Sequence, residues 1–142
     1  MPLKFLGDFG KLEKIGRDLG GGLGSLFVAD MARDFSKEAE RLVRLGFETG
    51  TDPNGRRWKR AQDNKKGRRL YRTGHLFGSI QASHTGKAAI VAIGADYAAP
   101  LNYGTATMKA RRMIPGARLP TRWRQALTEV FWQRVRRLLR KI

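Results

Sequence analysis

His75 and His84 are the only histidines of the chain, and cysteine is absent. Without thiols there is no disulfide framework, no thiol nucleophile and no Cys-ligated zinc or iron–sulfur site. His84 has neither an acidic neighbour nor a second ligand beside it, and His75 falls just inside a short capped turn of helix. Neither placement fits a metal site or a catalytic triad. Gly20-Gly21-Gly22-Leu23-Gly24 lacks the Lys-Ser/Thr of a phosphate-binding loop and has no strand in front of it. The acids gather on one face of the first long helix and form no isolated carboxylate pair. The expectation is a non-enzymatic protein with no cofactor and no metal.

What remains is the chemistry of positive charge. The chain has 29 Lys+Arg against 12 Asp+Glu, a formal charge of +17, which calls for an anionic partner: nucleic acid, an acidic membrane surface or an acidic protein face. The charge is segregated. Residues 1–50 are balanced, and residues 76–107 carry only Lys87 and Asp96. Between them, Arg56, Arg57, Lys59, Arg60, Lys65, Lys66, Arg68, Arg69 and Arg72 face only Asp52 and Asp63. A second basic block fills residues 108–142, with Lys109, Arg111, Arg112 and Arg118 at its start and Glu129 its one acid. Such density exceeds what solubility needs. Trp58 and Tyr71 are interleaved in the first block, where aromatic rings could stack on bases.

The elements that must position these side chains follow from periodicity. A chain of 142 residues fits one domain. Residues 1–24 read as an N-terminal arm ending in a Gly-rich hinge at 19–24, the arm either reaching a neighbouring subunit or forming a free tail. Residues 25–142 read as the domain. Ser25 is the expected N-cap of a helix running to about Glu48, with Val28, Met31, Phe35, Ala39 and Leu42 as its apolar stripe. Asp30, Arg33, Asp34, Lys37, Glu38, Glu40, Arg41 and Arg44 make its exposed, charge-balanced side.

Asp52-Pro53-Asn54-Gly55 is a turn and 56–72 an extended basic loop. Thr73 caps a short helix, and residues 80–84 and 88–93 form a hairpin turning at Thr85-Gly86-Lys87. A further strand is expected within Arg111–Leu119, broken early by Pro115-Gly116. Thr121 caps a last helix, Pro120 lying just outside, whose stripe is Leu127, Val130, Phe131, Val135, Leu138, Leu139 and Ile142. No apolar run approaches the roughly 20 residues that cross a bilayer, and the N-terminus lacks the apolar core of a secretory signal. The fold class is α+β, two long helices covering a small sheet.

Three motifs occur in order: Asp52-Pro53-x-Gly55-x-x-Trp58, Tyr71-x-Thr73-Gly74-x-Leu76-x-x-Ser79-Ile80, and Ile93-Gly94-x-x-Tyr97-Ala98. Their order and spacing resemble the virion morphogenesis (tail completion) family of Mu-type tailed phages, over roughly residues 35–120. Each motif alone is a weak signal; three in order are fairly specific. The chain departs from the family twice. Leu101-Asn102-Tyr103-Gly104 stands where members often have His-Gln-x-Gly. The segment Arg112–Pro120 keeps Ile114-Pro115 and an arginine but loses a Phe-Leu-Gly.

The resemblance implies a mostly antiparallel sheet packed by a long N-terminal and a long C-terminal helix. It implies a virion protein of the head–tail neck, assembled in the host cytoplasm, that completes the tail and joins it to the head as a ring, taken as hexameric, around the DNA path. Partners would be further copies of the chain, neighbouring neck and tail-tube or head-adaptor proteins, and genomic DNA in the channel, with no membrane. On this reading Asp52, Pro53, Gly55, Trp58, Thr73, Gly74, Leu76, Ser79, Gly94, Tyr97 and Ala98 hold the fold. The basic residues named above, from Arg56 to Arg72 and from Lys109 to Arg118, face DNA or an acidic partner. Two other readings stay open: a free nucleic-acid-binding basic protein, and a membrane-surface binder acting through the basic last helix.

Overall fold

The longest apolar stripe builds the longest element. In the computed structural model, which describes residues 3–6, 21–58, 75–85, 88–107, 109–116 and 118–140, helix α1 runs over Gly21–Thr49. Val28, Met31, Ala39, Val43 and Phe47 are buried along it. Phe35 and Leu42, expected at the centre of the stripe, lie half-buried at its edge. The helix ends as expected but begins earlier. Gly21–Gly24, expected to be a hinge, form its first turn, so Ser25 is internal and not a cap. Glycine costs about 1 kcal/mol per helical position relative to alanine. Once Phe27, Val28 and Met31 fix the next turn by burial, each residue added in front gains a hydrogen bond without a new nucleus.

The expected division at residue 24 therefore falls inside a helix. The chain before it also reaches the sheet. Strand β1 (Leu3–Leu6) pairs antiparallel with β3 (Ala89–Ile93), which pairs on its other side with β2 (Ile80–His84), giving the order β1-β3-β2. Part of the expected arm is thus an edge strand. The β2–β3 hairpin stands as expected. Thr85 closes it, its N–H donating to the Ala88 carbonyl at 2.9 Å and its Oγ1 accepting the Ala88 N–H at 3.0 Å. Ala89, Val91 and Ile93 alternate into the core.

The described residues form three further helices: α2 (His75–Gly78), α3 (Ala98–Tyr103) and α4 (Thr121–Arg140). The Pro120 carbonyl accepts the Arg124 N–H at 3.0 Å, so Pro120, not Thr121, occupies the cap position. Thr73, the expected cap of α2, and the basic loop from Lys59 onward lie outside the described residues. The strand expected within 111–119 is absent from the described part of that segment, for a reason that Asn102 supplies below.

Helix α1 packs on β2 and β3 and also on α4, which runs antiparallel to it. Trp123 at the start of α4 lies beside Leu42 and Gly46, while Arg134 further along reaches Asp34 and Asp30. Two apolar clusters result. The larger joins Ala39, Val43 and Phe47 to Trp58, Leu76, Ile80, Val91, Ile93, Met113, Ile114 and Trp123. The smaller joins Phe27, Met31 and Ala89 to Phe35, Val130, Phe131, Val135 and Leu138. The fold is α+β: two long helices over a small antiparallel sheet.

Candidate functional site

The first motif is a tight turn with a buried anchor. The Gly55 N–H donates to the Asp52 carbonyl at 2.9 Å, and the Asp52 N–H to the Arg56 carbonyl at 2.8 Å. Pro53 sits where its fixed φ suits a turn, and Gly55 has φ +88°, as a three-residue hairpin loop ending in a left-handed residue requires. The Asp52 carboxylate accepts the Arg56 N–H at 2.9 Å. Thr51 and Arg57 bridge below the turn. Glycine has a second reason here: a Cβ at Gly55 would come within 2.9 Å of Arg122 Nη1.

Trp58 then drives the chain into the core. It is 4% exposed and meets Phe47 edge-on, ring centroids 5.5 Å apart. Its indole Nε1–H donates to the Arg112 carbonyl at 2.9 Å, across 54 residues of sequence. This bond brings the starts of the two basic blocks together, with Arg122 laid over the turn between them. Arg56, Arg57, Lys109, Arg112 and Arg118 are exposed, and Arg111 is half-buried. Lys59, Arg60, Lys65, Lys66, Arg68, Arg69 and Arg72, with Gly74, lie outside the described residues. A stacking role for Trp58 is excluded by its burial, which is a correction to the expectation from sequence.

The second and third motifs support the same end of the molecule. Leu76 is buried, and the Ser79 hydroxyl donates to its carbonyl at 2.7 Å. The Gly94 N–H donates to the Ser79 carbonyl at 3.0 Å, which links the two motifs directly. Ala98 is fully buried, whereas Tyr97 is exposed, its ring 6.1 Å from that of His75.

Asn102 was not singled out from sequence and proves central. It is 1% exposed, and its Oδ1 accepts the N–H groups of Met113 at 2.8 Å and Ile114 at 3.3 Å. The Arg111 N–H donates to the Leu101 carbonyl at 2.7 Å. These three donors would otherwise serve a strand ladder, so residues 111–114 dock on α3 instead of entering the sheet. Leu101 and Asn102 of α3 and residues 111–114 are therefore packed on each other. Trp123, buried at 3%, was also missed, although it continues the α4 stripe four residues before Leu127.

The charged side of α1 is less simple than a solvated face. Arg33–Asp30, Arg41–Glu38 and Arg44–Glu40 are pairs within the helix. Hydrogen bonding to Glu38 raises Arg41 above the ordinary arginine value; burial opposes this and the Glu38 charge adds to it. Arg44 also donates to the Ile80 carbonyl at 3.0 Å and covers the Phe77 ring at 4.8 Å. Asp34 belongs to the interface with α4. Among the described residues there is no group of three or more His, Asp or Glu that could hold a metal ion, and no helix is long and apolar enough to cross a membrane. Comparison with protein-family models, curated proteins and solved structures returned no match to this chain.

Proposed function

We propose that the chain is a structural, non-enzymatic virion protein of a tailed phage, which completes the tail and joins it to the head as a ring around the DNA path. The reading rests on the resemblance carried by the three motifs. The observation that supports it best is the Trp58–Arg112 hydrogen bond. It sets exposed arginines from both basic blocks beside one rigid turn, so their charge adds at one end of the molecule. Many copies in a ring would repel one another unless a polyanion or acidic neighbours neutralised that end. DNA in the channel supplies such a polyanion, and the virion is the setting in which the ring assembles.

Negative-stain images of the purified protein, with mass spectrometry of purified virions, test this. The expected result is ring-shaped oligomers and a virion-associated chain. A protein that stays monomeric at every concentration and is missing from virions overturns the proposal.

A further inference from the structure

The outward face of α4 carries a cationic groove separate from the turn at residues 52–58. Gln133, Arg136, Arg137 and Arg140 line a shallow depression of about 170 Å3. They lie three, four and seven residues apart, on one side of the helix. Val130, Phe131, Val135 and Leu138 pack into the smaller apolar cluster, so Arg136 and Arg140 face away from the core, while Gln133 and Arg137 also border the cleft with α1 beside Asp34, Glu38 and Arg41. Trp132 and Leu139 flank it, 50% and 63% exposed. The Trp132 ring is held edge-on against Phe131, centroids 5.3 Å apart.

The arginines of α4 are used in two ways. Arg134 is committed to Asp34. Arg136 pairs with Glu129 at 3.0 Å, both side chains more than half exposed and the pair so easily exchanged for another anion. Arg137 and Arg140 have no carboxylate in ion-pair reach among the described residues. The helix dipole favours cations in a last turn, which accounts for their sign but not for an exposed tryptophan beside them.

We infer that this face binds the phosphodiester backbone of nucleic acid, Arg136, Arg137 and Arg140 gripping neighbouring phosphates. The guanidinium fork matches phosphate oxygens two at a time. From Arg136 to Arg140 the helix rises about 6 Å, the axial length over which one strand of a duplex offers about two phosphates. Trp132 is placed to stack on a base where the strand is unpaired. The bidentate fit of guanidinium to phosphate favours a phosphodiester over an acidic protein face as the occupant. The inference rests on the reading above only in taking DNA as a partner, and it needs no ring.

Fluorescence anisotropy of the full chain, with a labelled duplex and a single strand of equal length, tests it across a salt titration. R137Q/R140Q removes two guanidiniums that have no carboxylate partner among the described residues, and R33Q/R41Q removes two that are paired within α1. The first double variant is expected to weaken duplex binding about tenfold near 100 mM salt and to lower the salt slope by nearly two, about one per lost phosphate contact. The second is expected to change affinity less than about threefold. E129Q, which frees Arg136, should tighten binding severalfold, a gain that misfolding cannot produce. W132A should weaken binding to the single strand alone. Equal losses in the two double variants, or an unchanged slope in R137Q/R140Q, overturn the inference. So does polyglutamate that competes as well as DNA at equal charge, which would assign the face to an acidic protein. Rings that fail to form while these shifts appear would overturn the neck reading and leave this one standing.

Discussion

Arg134 grips one oxygen of Asp34 across the two long helices: Nε and Nη2 lie 2.7 and 2.6 Å from Asp34 Oδ2. The residues are 100 positions apart in sequence, and their side chains are 18% and 20% exposed. The pair therefore sets how α4 lies along α1, and with it the direction in which the arginine groove of α4 points.

Breaking that pair should loosen the helix packing. R134A or D34N is expected to cost about 1–2 kcal/mol, between an exposed pair and a fully buried one. A double-mutant cycle by urea unfolding should return a coupling of about 1 kcal/mol. Strict additivity would show that the two side chains do not hold the helices.

Trp58→Phe keeps most of the buried ring and removes the donor to Arg112. A loss of about 1–2 kcal/mol is expected from the orphaned carbonyl and the missing hydrogen bond. Trypsin should also cut faster at Arg111 and Arg112, because the bond that tethers the second basic block is gone. An unchanged cleavage rate would mean that the bonds to Leu101 and Asn102 of α3 suffice to hold the segment.

Gly55→Ala meets two obstacles at once, a φ of +88° and Arg122 Nη1 at 2.9 Å from the new Cβ. The expected cost is about 1–2 kcal/mol from the left-handed conformation alone, plus the displacement of Arg122. Adding R122A should recover only the second part. Full recovery in thermal unfolding would show that the backbone angle is not limiting.

Asn102→Ala leaves two buried N–H groups without their acceptor, and about 2–4 kcal/mol should be lost. Hydrogen exchange is the sharper measure. The Met113 and Ile114 amides should lose protection by far more than those of the α1 core, and uniform loss across the chain would refute a local role.

Much of the fold was legible because it is local. The stripe from Val28 onward specified α1, the β-branched run at Ile90–Ile93 with Thr85 before it specified the hairpin, and Val130 to Leu138 specified α4. Boundaries were less legible where packing overrides propensity. Gly21, Gly22 and Gly24, read as part of a hinge, became helix because the residues after them are pinned in the core. The expected strand at 111–119 was lost because the Asn102 side chain and the Leu101 carbonyl of α3 took the donors of residues 111, 113 and 114.

The candidate site was legible only as a list of charges. Composition and order alone determined that the positive charge falls in two blocks, that thiol chemistry is absent, and that turn residues precede Trp58. Tertiary structure decided which charges are available: Arg134 and Arg44 are spent on holding helices and strand, while Arg56, Arg57, Arg112, Arg136, Arg137 and Arg140 remain at the surface. It also decided that Trp58 is an anchor and not a stacking ring, and that the starts of the two blocks meet. The physical reason is range. Periodicity records which side of an element is apolar, but partners 54 or 100 residues apart are chosen only when the helices and sheet pack and bring their atoms within hydrogen-bonding distance.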